Sequence, residues 1–319
     1  MGRRTSARPS AHQKISTGPS LPKFQAASGA KPPATGWPVR EVQKGRSIMA
    51  DISGEPLAGT VADALAERGE AKAVSVLWLG IAAGLQIGFG GIAYLVASAG
   101  MPSGSGATHL LAGLAFSSGL MLVMVTGAHL FTGHAMLSLP LAQGRVTGAG
   151  LAKALGLVWL ANLVGSLIVV GLFVAAGGPE AVDGAVAAIA RETAMSKIAK
   201  SSFTLIASGI LANMLVCLAV WMASGTTSVA GKIVAVIAPI TLFVAAGFEH
   251  SIANMTLLPL GWALDPVAVP IGGIAHNLAM STLGNLIGGG VIALLLGAGH
   301  GALAKPNSSP LRGGGRPQA

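Results

Sequence analysis

Gly127-Ala-His-Leu-Phe-Thr-Gly-His134 and Gly247-Phe-Glu-His-Ser-Ile-Ala-Asn254 place polar side chains near the middle of two long apolar runs, 109–141 and 231–260. About 20 residues already cross the ~30 Å hydrocarbon layer of a membrane, so each run is too long for one simple span. Glycine loosens a helix, and Thr132 and Ser251 are residue types that cap a new helix start. We therefore predict that both helices break and restart at membrane depth.

A break of this kind frees backbone N–H groups, and these must face protein or a water-filled pore because hydrocarbon cannot bond them. Two helix N-termini directed at one place would attract an anion without a fixed positive charge. Glu249 is the only acidic residue deep in an apolar run, and His250 follows it directly. Neighbours on a helix do not face each other, so one is expected at the pore and the other in packing.

The amino-acid composition indicates a membrane protein. Of its 319 residues, 52% are hydrophobic and 10% are charged, whereas soluble domains carry about 25% charged residues. Abundant glycine and few aromatic residues favour closely packed helices over a β-barrel. We predict an all-α membrane protein with six transmembrane helices, the second and fifth broken, at 74–99, 109–141, 151–176, 203–223, 231–260 and 271–298.

The flanking regions are basic and rich in Pro, Ser and Gly. We predict a disordered N-terminal tail over 1–70 with a short amphipathic helix at about 56–72, a channel domain over 71–300 and a disordered C-terminal tail over 301–319. Arg145, Lys153 and Lys232 mark the inner loops, which places both termini in the cytoplasm. The net charge of +9 fits this topology and contact with lipid headgroups, and no basic face typical of nucleic-acid binding is visible.

The two halves of the chain resemble each other. Ile81-Ala-Ala-Gly84 matches Ile206-Ala-Ser-Gly209, Gly127-Ala-His-Leu130 matches Gly247-Phe-Glu-His250, and Asn162-Leu-Val-Gly165 matches Asn285-Leu-Ile-Gly288, in the same order. Each half holds three spans, an odd number, so the second half must be inverted relative to the first. Inverted repeats with paired interruptions are typical of transport proteins.

Phe248-Glu-His-Ser-Ile-Ala-Asn-Met255 and Asn213-Met-Leu-Val-Cys-Leu-Ala-Val-Trp-Met222, supported by Leu283-Gly-Asn-Leu-Ile-Gly-Gly289, resemble motifs of the formate/nitrite transporter family. The resemblance covers about 56–300. It implies an aquaporin-like fold, a homopentamer in the bacterial inner membrane and a separate pore in each subunit. Small anions such as formate, nitrite or hydrosulfide are the implied substrates.

The same resemblance implies site residues. His250 matches the central histidine of the family, Thr132 the loop threonine, Asn213 the pore asparagine and Lys197 a lysine that draws anions into an outer vestibule. One hydrophobic constriction is expected at Phe116, Leu120 and Leu130, and a second at Phe243 with Val216 beside it.

Two histidines depart from the family pattern. His129 stands where many members have Glu or Asp, and His134 where Asn, Ser or Thr is common. Both place a titratable ring near the break in the second span. We hypothesise that they make gating or selectivity unusually sensitive to pH. Unchanged pH profiles of flux for His129→Asn and His134→Asn would contradict this hypothesis.

These observations predict a channel or proton-linked transporter for small monovalent anions of weak acids, with no metal and no cofactor. An enzyme is not expected, because the chain shows no Ser–His–Asp arrangement, paired carboxylates or phosphate-binding loop. Two alternatives stay open. One is a membrane haem or metal protein ligated by His129, His134, His250 and His276, and the other is a pore for neutral solutes, although such pores usually place an arginine at the constriction.

Overall fold

The structure, a computed structural model, describes residue 2 and residues 52–102 and 104–303. The predicted disorder of the two tails therefore concerns residues that lie largely outside the described part. The described chain is helical, with α1–α11 at Gly54–Gly69, Ala73–Ser98, Gly106–Thr126, Phe131–His134, Ser138–Ala142, Gly148–Ala175, Ala185–Ile198, Ser202–Ser224, Val229–Ala245, Ser251–Leu264 and Ile271–Gly299.

Five helices of the described chain, α2, α3, α6, α8 and α11, are long and apolar enough to cross a membrane. The predicted second segment consists of α3 followed by α4, a 3₁₀ turn and α5, and the predicted fifth segment consists of α9 and α10. Both predicted breaks are therefore present, after Thr126 and after Ala245. The count of six spans stays a prediction, because it requires α9 and α10 to act as one span.

The chain turns at both breaks through a glycine. Gly127 has φ 72° and Gly247 has φ 68°, a left-handed conformation that favours residues without a Cβ atom. The predicted N-caps were wrong, by two residues at Thr132 and by one residue at Ser251. Leu130 and His250 occupy the cap positions, whereas Thr132 and Ser251 lie inside the first turns of α4 and α10. A cap requires extended backbone before the first helical residue, and the extended residue is the one that precedes Phe131 or Ser251.

Helices α2 and α6 pack as closely as α8 and α11. A Cβ atom on Gly165 would come within 2.0 Å of the Ile81 carbonyl oxygen, and one on Gly288 within 2.2 Å of the Ile210 carbonyl oxygen. These distances show backbone-to-backbone contact, which small residues permit between membrane helices. The prediction that glycine allows close helix packing is confirmed at these crossings.

One asparagine in each half fastens a break to its neighbouring helices. Asn162 donates to the carbonyls of Gly80 and His129, at 2.8 and 2.9 Å, and accepts from the Phe131 N–H at 2.9 Å. Asn285 repeats this pattern with Gly209, Glu249 and Ser251, at 2.8, 2.9 and 2.8 Å.

This repeated pattern confirms two of the three sequence matches and corrects the third. It pairs Gly80 with Gly209, so the alignment of Gly84 with Gly209 was wrong by one helical turn. Alternating small and branched apolar residues match about equally well in either register, which explains the error.

Two helices lie beside the long apolar ones. Helix α1 lies close to the position predicted for the amphipathic helix and buries Leu57, Val61 and Leu65 against Leu139 and the residues around it. Helix α7 occupies the third predicted loop and was not predicted. Its small apolar face, which includes Ala190 and Ala194, packs against α10 near Gly261, while its charged residues hide this face in the sequence.

Candidate functional site

The restarted helices α4 and α10 meet at a buried hydrogen bond. His250 Nε2 lies 3.1 Å from Thr132 Oγ1, and both side chains are buried. His250 Nδ1 accepts from the Ala253 N–H at 3.1 Å, so the ring closes the first turn of α10. A neutral imidazole that accepts at Nδ1 carries its proton on Nε2. The histidine therefore donates to the threonine hydroxyl across the contact between the two halves.

Seven apolar side chains surround the His250 ring. They line a narrow space that has no room for a water-sized sphere, and they are Ile87, Phe116, Leu120, Leu130, Val216, Ile240 and Phe243. We call this space the apolar gap. The rings of Phe116 and Phe243 meet edge to face with centroids 5.6 Å apart, and Phe243 lies 5.7 Å from the His250 ring.

The apolar gap contains all five residues predicted to form constrictions. These residues were predicted to form two constrictions, but in the structure they line one space together with His250. Ile87 and Ile240 also line the gap and were missed. Ile240 precedes Phe243 by three residues and so shares its helix face, a spacing that would have identified it.

Glu249 points away from the apolar gap. Its buried carboxylate accepts from Lys200 Nζ at 2.7 Å, Lys197 Nζ at 3.2 Å and Asn254 Nδ2 at 2.7 Å, with Asn277 Nδ2 at 3.4 Å. One carboxylate and two ammonium groups leave one net positive charge. The predicted division between a pore residue and a packing residue therefore corresponds to His250 at the gap and Glu249 in this charged cluster.

The two lysines face a vestibule that ends at the phenylalanines. Lys197, Lys200, Phe116 and Phe243 all line this cleft, together with His109. Lys200 was missed as a site residue, because it follows the end of α7 at Ile198 and its contact with Glu249 joins residues 49 positions apart. Neither lysine is fully enclosed, with 14% and 28% of their side chains exposed.

The expected free N–H groups at the breaks are largely bonded. Asn162 Oδ1 accepts a hydrogen bond from the Phe131 N–H, and Asn285 Oδ1 accepts one from the Ser251 N–H. His250 Nδ1 accepts one from the Ala253 N–H. Attraction of an anion by the remaining N–H groups of the two helix starts stays a prediction.

Asn213 lies behind Thr132 rather than around the apolar gap. Its amide donates to the backbone carbonyls of Thr132, at 3.2 Å, and of Asn285. Both carbonyls belong to the region where the two halves meet, so the contacts fasten α4 to α8 and α11. A direct contact between Asn213 and a permeating ion stays a prediction.

His129 and His134 form a pair on the other side of Leu130. Their ring centroids are 5.1 Å apart, and neither ring lines the apolar gap. His276 is separate from them and contacts Ser202 at 2.8 Å. Among the described residues, no group of three or more His, Cys, Asp or Glu is arranged to hold a metal ion.

The model of the Formate/nitrite transporter family matches residues 55–298 of this sequence. The chain belongs to the formate/nitrite transporter family. This confirms the resemblance, the all-helical membrane fold and the prediction that the chain is not an enzyme, because members of the formate/nitrite transporter family are channels and transporters.

Curated relatives and solved structures agree with this assignment. Formate channel FocA of Escherichia coli strain K12 is 36% identical over 240 residues, covering 69% of this chain and 84% of the relative. Nitrite transporter NirC of the same strain is 39% identical over 194 residues, covering 60% and 70%. A pentameric formate channel with formate bound superposes with a TM-score of 0.65 at 34% identity, covering 70% of this chain and 95% of that one.

Proposed function

We propose that this protein is a membrane channel or transporter for small monovalent anions of weak acids, with formate and nitrite as its substrates. The observation that carries the proposal is the buried junction of α4 and α10. There, the His250 imidazole closes an apolar gap that lies below a vestibule with two lysines. The names of the relatives, a formate channel and a nitrite transporter, give the substrate class.

Passage of the anion requires its charge to be offset at the apolar gap. Transferring a bare carboxylate or nitrite ion into such surroundings costs many kcal/mol, because the Born penalty in a low-dielectric medium is large. The lysine pair concentrates anions in the vestibule. A proton on His250, whose ordinary pKa lies near neutral pH, then serves as a countercharge or passes to the anion, so that a neutral acid crosses the gap.

The test is flux through purified protein in lipid vesicles, with formate, nitrite and hydrosulfide each measured across a pH series. We expect His250→Asn to reduce formate flux by more than about tenfold, because losing the countercharge adds more than about 1.4 kcal/mol to the barrier. His276→Asn is the matched control, since that ring is a surface residue of α11. Wild-type flux and pH dependence in His250→Asn would refute the role of the ring.

The same assays address the remaining alternative pore. Glycerol flux that exceeds formate flux in vesicle swelling would indicate a pore for neutral solutes. Flux of formate that follows its concentration gradient without a proton gradient would indicate a channel, and movement of one proton with each anion would indicate a coupled transporter.

We further propose a homopentamer in the bacterial inner membrane with both termini in the cytoplasm. The pentameric state of the formate channel with a similar structure supports the assembly. Apolar side chains on the outer faces, such as Trp78, Phe203 and Leu295, which are 67%, 81% and 62% exposed in the single chain, supply surfaces for lipid and neighbouring subunits. Native mass spectrometry would test the assembly, and a monomer as the main species would contradict it.

A further inference from the structure

Within the part of the chain that the structure describes, His129 and His134 each have a buried ring nitrogen without a hydrogen-bond partner. These atoms are His129 Nδ1 and His134 Nε2. The residues are 7% and 0% exposed, and their ring centroids are 5.1 Å apart with an angle of 51° between the rings. Buried polar atoms without partners are uncommon in folded proteins and require an explanation.

The hydrogen bond of the His134 ring shows which of its two nitrogens carries the proton. His134 Nδ1 lies 3.0 Å from the Leu130 carbonyl oxygen, which can only accept, so Nδ1 carries the ring proton. Nε2 of the neutral ring is then an unshared lone pair inside the protein. A histidine that donates one ring N–H to a backbone carbonyl and leaves the other nitrogen bare has the arrangement found in metal-ligating histidines.

The other half of the molecule shows what occupies the equivalent place. The repeat that pairs the Asn162 and Asn285 hydrogen bonds makes Glu249 and Asn254 the counterparts of His129 and His134. There, the amide of Asn254 donates to the carboxylate at 2.7 Å, and two lysine ammonium groups complete the cluster. In the histidine pair, His134 Nε2 presents a lone pair, His129 Nδ1 presents a second one when the His129 proton is on Nε2, and no donor among the described residues reaches either atom. An added cation would complete this arrangement.

We propose that His129 and His134 together bind a transition-metal ion of the Zn²⁺ type. Two imidazoles that share a tetrahedral zinc at about 2.0–2.1 Å from each nitrogen have ring centroids about 5 Å apart, which is the separation found here. The positive charge of Arg68 disfavours any cation at this place, so binding depends on the strength of the metal–nitrogen bonds.

Two protein ligands make this a reversible site. Resident zinc sites have three or four protein ligands, so the other coordination positions here belong to water. Protons compete for the same nitrogens, because a ligating imidazole must be neutral. Leu130 stands between the two histidines and lines the apolar gap, so a bound ion fixes this segment. On the basis of the proposed function, binding therefore inhibits anion flux.

Binding is tested first without any flux assay. Protein without a histidine tag is titrated with Co²⁺, whose tetrahedral complexes absorb in the visible range, and Zn²⁺ is then added to displace it. We expect one ion per subunit in the wild type and in His276→Asn. In His129→Asn and His134→Asn we expect binding at least about 100-fold weaker, since loss of even an outer-shell partner costs about 10- to 100-fold. Absence of binding to the wild type, or undiminished binding to either variant, would overturn the proposal.

Anomalous scattering from wild-type crystals soaked in Zn²⁺ keeps the test independent of how the variants fold. A peak between the two rings is expected, and peaks only elsewhere would overturn the site. Vesicle flux then separates the two proposals. Zn²⁺ that binds at this pair and inhibits the wild type but not His134→Asn supports both. Binding in a protein that passes no anion supports the metal site and refutes the proposed function. Flux whose pH dependence requires the pair in a protein that binds no metal would assign the pair to protons and overturn this inference.

Discussion

The buried carboxylate of Glu249 forms ion pairs with two lysines, so its negative charge is critical for stability. Removing one partner of a buried ion pair costs about 3–5 kcal/mol because the remaining charge has lost its compensation. We expect Glu249→Gln to lower the free energy of unfolding by about 3 kcal/mol, at the lower end because the ammonium groups keep some contact with water. Thermal or denaturant unfolding in detergent would measure the change.

Asp63→Asn is the matched control for that experiment. Asp63 pairs with Arg145 at 2.8 Å, but its side chain is 76% exposed, and exposed ion pairs contribute less than about 1 kcal/mol. If Glu249→Gln were no more destabilising than Asp63→Asn, the charged cluster would not have the role that its burial indicates.

For single residues, the sequence predicted which residue types lie at the site better than it predicted which atoms they contact. His250 and Glu249 stood out because ionisable residues are rare in apolar runs, and both lie at the breaks. Lys200 and the true neighbours of Asn213 depend on contacts between residues more than 40 positions apart, at Glu249 and at Thr132 and Asn285. A single sequence contains no signal for such contacts.

Helix breaks depend on the two asparagine side chains that fasten them. Asn162→Leu or Asn285→Leu would remove the side-chain partner of two backbone carbonyls and one N–H. The Gly80 and Gly209 carbonyls lie inside α2 and α8 and keep their helical bonds, so one carbonyl and one N–H lose their partner in each variant. Each such buried group costs about 1–3 kcal/mol, so we expect each variant to lose at least about 2 kcal/mol of stability. The repeat further predicts similar losses for the two variants. Unfolding in detergent, with loss of flux measured in parallel, would check both expectations.

Gln86→Leu serves as the control because its amide contacts Thr126 in an exposed position. We expect it to cost less than about 1 kcal/mol. An Asn162→Leu or Asn285→Leu variant as stable as Gln86→Leu would show that the breaks persist without these contacts.

Helix crossings can be tested with paired glycines on one element. In α6, a methyl group on Gly165 would clash with the Ile81 carbonyl at 2.0 Å, whereas one on Gly171 meets nothing within 4 Å. We expect Gly165→Ala to destabilise by about 1–3 kcal/mol through overpacking and Gly171→Ala to be neutral or stabilising by up to about 1 kcal/mol. Equal melting temperatures for the two variants would contradict the close α2–α6 crossing.

Elements were predictable where the apolar pattern was strong. The six segments located the long helices to within a few residues, since length and hydropathy alone define such spans. Helix α7 escaped because Arg191, Glu192 and Lys197 interrupt an apolar face made mainly of alanine. The helix at Phe131 begins two residues earlier than predicted, and the helix at Ser251 begins one residue earlier. The caps are Leu130 and His250, which are not residue types that usually cap helices.

Membrane orientation is a property of the whole molecule, and cysteine labelling can test it. Cys217 is the only cysteine and is buried, so a Cys217→Ser background allows single cysteines to be introduced. Val267, which is 90% exposed, lies in a loop predicted to be outside, and Thr227 in one predicted to be inside. In intact cells, we expect a membrane-impermeant maleimide to label Val267→Cys and not Thr227→Cys. The reverse pattern would invert the proposed topology.

The protonation state of His250 is coupled to the stability of the first turn of α10. Its Nδ1 lone pair, which receives the Ala253 N–H, is also the only place where the neutral ring can take up a second proton. An imidazolium has no lone pair left, so charging the ring releases the first turn of α10 and removes a cap of about 1 kcal/mol. Each protonation of His250 therefore also loosens the backbone beside the apolar gap slightly, so the positive charge on the ring and the local flexibility of α10 arise together.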